Sequence, residues 1–211
     1  MTLPIDVDAV HNATLVAEPF PFLMVPGFVK SEAIEEIERD FPQVAHAGSF
    51  PLPTLQFGPG FQAFMDAIRG PEFTATIAAK FGIDLAHRPT MITVRGRSSA
   101  RDGQIHTDSV TKLITVLIYM NGKWESPKGR LRLLRAPDDL GAVVAEVPPD
   151  EGTLVVFKNQ PNAWHGFEPF EGPRKVIQLN WVTSARVVWW EQTRHKVSAF
   201  FKGKHETPAG M

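Results

Sequence analysis

His106 and Asp108 stand two positions apart, His165 arrives from a distant segment, and Arg174 follows it closely. On extended backbone, residues i and i+2 point the same way, so His106 and Asp108 can grip one metal ion. A third ligand from another strand then completes a two-histidine, one-carboxylate facial set that leaves coordination positions open. That ligand set suits non-haem Fe(II) and the activation of O2. The chain contains no cysteine, which removes disulfides, thiolate zinc, iron–sulfur clusters and cysteine nucleophiles and leaves His, carboxylate and water as metal ligands. Among the seven histidines only His106 has an acid two positions on. His11, His46, His87, His195 and His205 read as surface or packing residues. His165 sits in Asn162-Ala-Trp-His-Gly-Phe; a lone histidine beside aromatics is commonly a hydrogen-bonded core residue, and the pair at 106 and 108 is what makes it a ligand candidate.

Strict alternation along residues 174–182 puts Arg174, Val176, Gln178 and Asn180 on one side and Lys175, Ile177, Leu179 and Trp181 on the other. A polar stripe of this kind ordinarily faces water. Its short separation from His165 argues for the opposite: a ligand strand, a turn and a returning strand would bring Arg174 within a small molecule's length of the metal. The planar guanidinium fork suits a carboxylate, which it can meet with two parallel charge-assisted bonds. Residues 113–120 are apolar on both faces, the pattern of a strand buried between two layers, and Thr115 and Tyr119 share one of those faces. Tyr119 is read either as a pocket residue or as a core tyrosine bonded to backbone.

These residues need a scaffold. Residues 1–30 read as an irregular lead-in with one extended piece at 20–25, and Ser31 is expected to cap a helix over 31–41. Further helical stretches are expected at about 61–69 and 72–81. From residue 90 short strands separated by turn signals take over, at 90–94, 105–108, 113–120, 130–135, 143–147, 153–157 and 174–182. Strands in succession after helices indicate an α+β protein with sheets rolled into a sandwich or barrel. Residues 185–201, rich in Val, Trp and Phe, read as a C-terminal helix packed on the sheet. With 211 residues, 43% hydrophobic and 21% charged, one domain spanning 1–211 is expected: a helical lead-in (about 1–89), a strand core (about 90–184) and the terminal helix. Residues 113–120 form the longest apolar run, less than half of a membrane-crossing helix, and the N-terminal sequence lacks a basic and apolar leader. A cytoplasmic location is the default expectation. A net charge of −1 gives no electrostatic case for nucleic acid or an anionic membrane.

The order His-x-Asp, Tyr-Met-Asn, Gly-Arg-Leu-Arg-Leu, an apolar strand, His and then Arg resembles the Fe(II)/2-oxoglutarate-dependent oxygenases, in particular their prolyl-4-hydroxylase-like branch. The resemblance runs from about 92 to 182, and the helices at 31–41 and 72–81 look like that branch's N-terminal supports. It implies a double-stranded β-helix, or jelly roll, holding Fe(II) through His106, Asp108 and His165. It implies further that Arg174 binds the distal carboxylate of 2-oxoglutarate, that Tyr119 touches this cosubstrate and that Gln178 and Asn180 line the same pocket. The implied reaction uses O2 and 2-oxoglutarate to hydroxylate a small-molecule or peptidyl substrate, releasing succinate and CO2. Where several relatives carry tyrosine before the His-x-Asp, this chain has Val94-Arg95-Gly96-Arg97, and its last strand carries Gln and Asn where others are more apolar or aromatic. Both departures bear on the substrate side, so substrate identity does not transfer.

Two other classes compete. A non-catalytic ligand-binding β-helix module would be favoured by loss of a triad member or of Arg174, and none is missing. A cupin-like metalloenzyme without 2-oxoglutarate would carry more histidines near the first ligand. Arg95, Arg97 and Arg101 place three cations in the loop before the ligand pair; they read either as a solvated loop paired to nearby acids or as a cleft mouth that favours an anionic substrate. Oligomeric state is not legible.

Overall fold

The computed structural model describes residues 3–188. Its helices pack on one side of a six-stranded antiparallel sheet, and a three-stranded antiparallel sheet packs on the other. In chain order the elements are α1 (Val7–Asn12), β1 (Phe22–Val25), α2 (Ser31–Arg39), β2 (Phe50–Pro51), α3 (Pro59–Arg69), α4 (Pro71–Phe81), β3 (Thr90–Ser98), β4 (Lys112–Tyr119), β5 (Leu131–Leu134), β6 (Val143–Val147), β7 (Leu154–Lys158), β8 (His165–Gly166) and β9 (Gly172–Val182). The large sheet runs β1-β7-β4-β9-β3-β2 and the small one β6-β5-β8. Among the described residues no helix is long and apolar enough to cross a membrane.

Local sequence explains the helical layer. Pro59 and Pro71 open α3 and α4 at positions where a missing N–H is harmless, and Gly70 separates the two. Asp40, just past α2, accepts a 2.7 Å hydrogen bond from the Gly60 N–H, meeting one of the free donors at the start of α3. Ser31 is the first helical residue of α2 and not its cap: Lys30 holds that position and makes no side-chain capping bond. The six-residue α1 falls in the segment expected to be irregular; Asp6 caps it by accepting from the Ala9 N–H at 2.8 Å.

The large sheet has two different faces. Ile114, Val116, Ile118, Ile177, Leu179 and Trp181 pack with Phe61, Phe64, Phe73 and Ile77 of the helices in one apolar cluster. The opposite face gives Leu117, Tyr119, Val155, Phe157 and Val176 to a second cluster completed by Leu131, Leu133 and Val147 of the small sheet. β4 is therefore apolar on both sides because both are covered, as its composition predicts. Register fixes what lies beside what on the inner face. Asn180 of β9 lies between Met91 of β3 and Thr115 of β4, Gln178 lies between Thr93 and Leu117, and Val176 lies between Arg95 and Tyr119. The polar stripe of β9 thus looks inward.

One expected strand is corrected. Residues 105–108 do not form a strand: the segment makes a single antiparallel bridge, His106 with His165, and leaves regular structure before Asp108. The expected C-terminal helix begins as helical turns at 185–188, and the rest of the 185–201 stretch lies outside the described residues.

Candidate metal centre

His106 and His165 face each other across their bridge, with His106 N–H to His165 carbonyl and the reverse bond both 3.0 Å and ring centroids 4.3 Å apart. Gly166 permits this closeness, since a Cβ there would lie 2.8 Å from the Gly103 carbonyl oxygen. Asp108 comes from the same short segment as His106 but is tied to the other sheet. Its Oδ1 accepts from Lys112 Nζ at 2.6 Å and its Oδ2 from Thr115 Oγ1 at 2.5 Å, both on β4. One donor atom from each of His106, Asp108 and His165 falls within a set whose members lie no more than 4.8 Å apart.

The tautomers follow from the partners. A carbonyl oxygen can only accept, so the 2.9 Å contact of His106 Nδ1 with the Gln104 carbonyl and the 3.0 Å contact of His165 Nδ1 with the Ala163 carbonyl place the protons on Nδ1. In the neutral ring this tautomer leaves the lone pair on Nε2, the form in which histidine binds metal. Burial pushes His165 down to about 4, against the pull of the Asp108 charge, so this ring is neutral across the physiological range. For Asp108, burial acts to raise the pKa, but the Lys112 charge and the bonds from Lys112 and Thr115 outweigh it and hold the carboxyl below its ordinary value. A neutral His165 and an ionised Asp108 are in the state in which each binds a divalent transition metal.

Two cavities flank the triad, and His106, Asp108, Lys112 and Gln178 belong to the walls of both. The first, of about 180 Å³, ends at Arg174 and Tyr119. Arg174 is 3% exposed. Its Nε donates to the Gly129 carbonyl at 2.9 Å, and its guanidinium lies 4.2 Å from the Phe167 ring centroid and 5.3 Å from that of Tyr119. Gly129 has φ of +77°, and a Cβ there would press within 2.8 Å of Trp124, so a glycine is what allows the carbonyl to face Arg174. Burial lowers the Arg174 pKa from its ordinary value and raises that of Tyr119. Among the described residues no carboxylate forms an ion pair with Arg174. A buried guanidinium with a carbonyl, two rings and no counter-ion is suited to receive an anion.

The second cavity, of about 230 Å³, is lined by Ser49, Met91, Thr93, Gln178 and Asn180 together with the triad side of Lys112. Asn180 Nδ2 donates to Thr115 Oγ1 at 2.8 Å and Gln178 Nε2 to Asn180 Oδ1 at 3.2 Å, so a hydrogen-bonded chain runs from Gln178 to Asp108.

Of the residues singled out from sequence, His106, Asp108, His165, Arg174, Tyr119 and Gln178 therefore border one cavity, while Asn180 lines its neighbour. Of the three arginines expected in a loop, Arg95 and Arg97 lie instead on β3, whose pairing with β9 runs on to Ser98. Arg95 reaches the first cavity, with Nη1 2.9 Å from Asp102 Oδ1, off the N–H direction, and Nη2 donating to Ser49 Oγ at 3.0 Å. Arg97 and Arg101 are exposed. Lys112, Thr93 and Ser49 escaped the sequence reading. Lys112 left a faint trace, four positions after Asp108, and Thr115 a clearer one, on the face of Tyr119.

The comparisons with known proteins bear on this site directly. Residues 97–183 match the 2OG-Fe(II) oxygenase superfamily. That match contains the triad and Arg174 and bears out the resemblance read from their order. No curated protein matches. Among solved structures, a Pseudomonas putida prolyl-4-hydroxylase aligns over 87% of this chain and 97% of its own, at 16% identity and a TM-score of 0.56. A Trichoplax adhaerens prolyl hydroxylase in complex with a hypoxia inducible factor peptide fragment aligns over 83% and 88%, at 17% identity and 0.55. HygX from Streptomyces hygroscopicus, with nickel and 2-oxoglutarate bound, aligns over 82% and 88%, at 14% identity and 0.53. At these identities the likeness is one of fold: helices on antiparallel sheets, as in the 2-oxoglutarate oxygenases.

Proposed function

We propose that the protein is an Fe(II)- and 2-oxoglutarate-dependent dioxygenase that hydroxylates its substrate and releases succinate and CO2, built as a single double-stranded β-helix domain. The observation that carries this reading is the placement of His106, Asp108 and His165 around one point, with the uncompensated, buried Arg174 at the end of the same small cavity. HygX, similar in fold, holds nickel and 2-oxoglutarate.

His106 Nε2, His165 Nε2 and an Asp108 oxygen would hold the metal, and their Nδ1 and carboxylate partners fix the orientation of each. Arg174, assisted by Tyr119, would bind the distal carboxylate of 2-oxoglutarate and set its keto-acid end towards the triad. Phe167 and Tyr119 cover the guanidinium and exclude water from that ion pair. Gln178 would touch both ligands from the wall between the cavities. With metal and cosubstrate bound, O2 would supply the oxidation: one oxygen atom would enter 2-oxoglutarate as it loses CO2 and becomes succinate, and the other a substrate C–H bond, giving the hydroxyl. The second cavity, on the other side of the triad, is where that C–H bond would be presented.

The deciding experiment is succinate formation from purified protein with Fe(II), assayed with and without 2-oxoglutarate, together with calorimetric titration of 2-oxoglutarate into the Mn(II) form. Metal-dependent binding with slow succinate release supports the reading. Metal binding with no affinity for 2-oxoglutarate would point instead to a metalloenzyme of the cupin type.

A further inference from the structure

The second cavity has a chemistry of its own, and it differs from what a prolyl peptide would ask of it. Thr93 and Asn180 are 7% and 1% exposed. They belong to adjoining cross-strand rows, Thr93 opposite Gln178 and Met91 opposite Asn180, so the floor of the cavity is a patch of hydroxyl and amide groups with one thioether. Ser49, just before the edge strand β2, adds a hydroxyl. A pyrrolidine ring offers such a floor no donor or acceptor, and the polar groups of the wall that are not already bonded to one another would lose water without gaining a partner. A compact molecule bearing several polar groups is the better match, and about 230 Å³ is below the range of drug-sized sites.

The charge of the ligand follows from Lys112. Its Nζ pairs with Asp108 at 2.6 Å, and it borders both cavities. When Asp108 takes a divalent metal, that carboxylate is shared between the metal and the ammonium. 2-Oxoglutarate brings two negative charges, which Arg174 and the metal answer, and Arg95 is already met by Asp102. One positive charge then stands unanswered beside the second cavity, and its bearer is Lys112. The other arginines contribute little here, Arg97 and Arg101 being exposed and Arg95 paired.

Resting on the oxygenase reading above, we infer that the second cavity takes a small, multiply hydrogen-bonding metabolite carrying one carboxylate, with Lys112 as the residue that receives the carboxylate and Thr93 and Gln178 as those that hold the polar body. The substrate class is thus a free amino, hydroxy or sugar acid and not a peptidyl side chain.

The test uses the full-length protein loaded with Mn(II) and saturated with 2-oxoglutarate under anaerobic conditions, so that binding is read without turnover. Free amino acids, hydroxy acids and sugar acids are titrated calorimetrically, each beside its methyl ester or amide, with an end-blocked prolyl tripeptide as the contrasting probe. At least one free acid is expected to bind tenfold or more tightly than its neutralised form. Lys112→Met is expected to erase that difference, and Thr93→Val to weaken the acid about fivefold, more than either change weakens 2-oxoglutarate. Equal binding of acid and ester, preference for the blocked prolyl peptide, or binding of no acid in the panel overturns the inference. The same titrations report 2-oxoglutarate: if it fails to bind, the oxygenase reading itself fails, whereas if it binds and the acids do not, only the substrate assignment falls.

Discussion

Thr115 Oγ1 donates a 2.5 Å hydrogen bond to Asp108 Oδ2 across the junction between β4 and the segment that carries His106. The same hydroxyl accepts from Asn180, so its single proton is committed to the carboxylate and the ligand is aimed from the floor of the sheet. Valine has nearly the shape of threonine and lacks the hydroxyl. Thr115→Val is therefore expected to lower Mn(II) or Fe(II) affinity by roughly tenfold or more, in the range usual for partners of metal ligands, while Thr115→Ser restores most of it. Metal titration by calorimetry measures both; equal affinity in wild type and valine variant would remove Thr115 from the centre.

Asp108→Ala should abolish succinate formation and leave the fold intact. Circular dichroism and thermal melting report the fold, and metal titration the site. A variant that kept full metal occupancy and turnover would show the triad to be wrongly assigned.

Arg174→Ala removes the buried charge at the end of the first cavity. Losing one partner of a buried charge pair costs about 2–5 kcal/mol, so the KM for 2-oxoglutarate should rise tenfold or more. Arg174→Lys should recover only part of this, because an ammonium cannot make two parallel bonds to a carboxylate. An unchanged KM would place the anchor elsewhere, and Arg95 is the nearest candidate.

The metal-free protein should lose stability as the pH falls from about 6.5 to about 4. In the unfolded chain His165 takes up a proton near its ordinary value of 6.5, whereas the buried ring does so only near 4. Through that interval the unfolded state binds more protons, and by linkage stability falls with pH, by roughly 3 kcal/mol for a separation of this size. Asp108, with its folded pKa below its ordinary value, adds a loss in the same direction at still lower pH. Urea melts of the metal-free protein at pH 7, 5.5 and 4.5 measure the trend, and His165→Asn should flatten its upper part.

The large strands were legible because their side-chain patterns have one physical cause each: β4 is apolar on both faces between two layers, and β9 alternates because its two faces meet different neighbours. The candidate ligands were legible because a His-x-Asp pair, a later His and a returning Arg have a recognisable order. The strand expected at 105–108 was not borne out, since a short segment rich in β-compatible residues does not reveal that only His106 finds a bridging partner. Lys112, Thr93 and Ser49 were hidden for a related reason. Their roles arise from cross-strand register and from how the segment after Gly103 lies over β4, and neither is encoded in local spacing. α1, at six residues, is too short to show a helical period.

His106 and His165 belong to the rim of the small sheet, while Asp108 hangs from β4 of the large one. An ion bound by all three would act as a rivet through both layers. Iron supply would then set mechanical stiffness as well as reactivity. Without the ion that junction would open more readily, with the His106 and Phe167 amide hydrogens, bonded to the His165 and Gly103 carbonyls, exchanging early, and loading would close it before any substrate arrived.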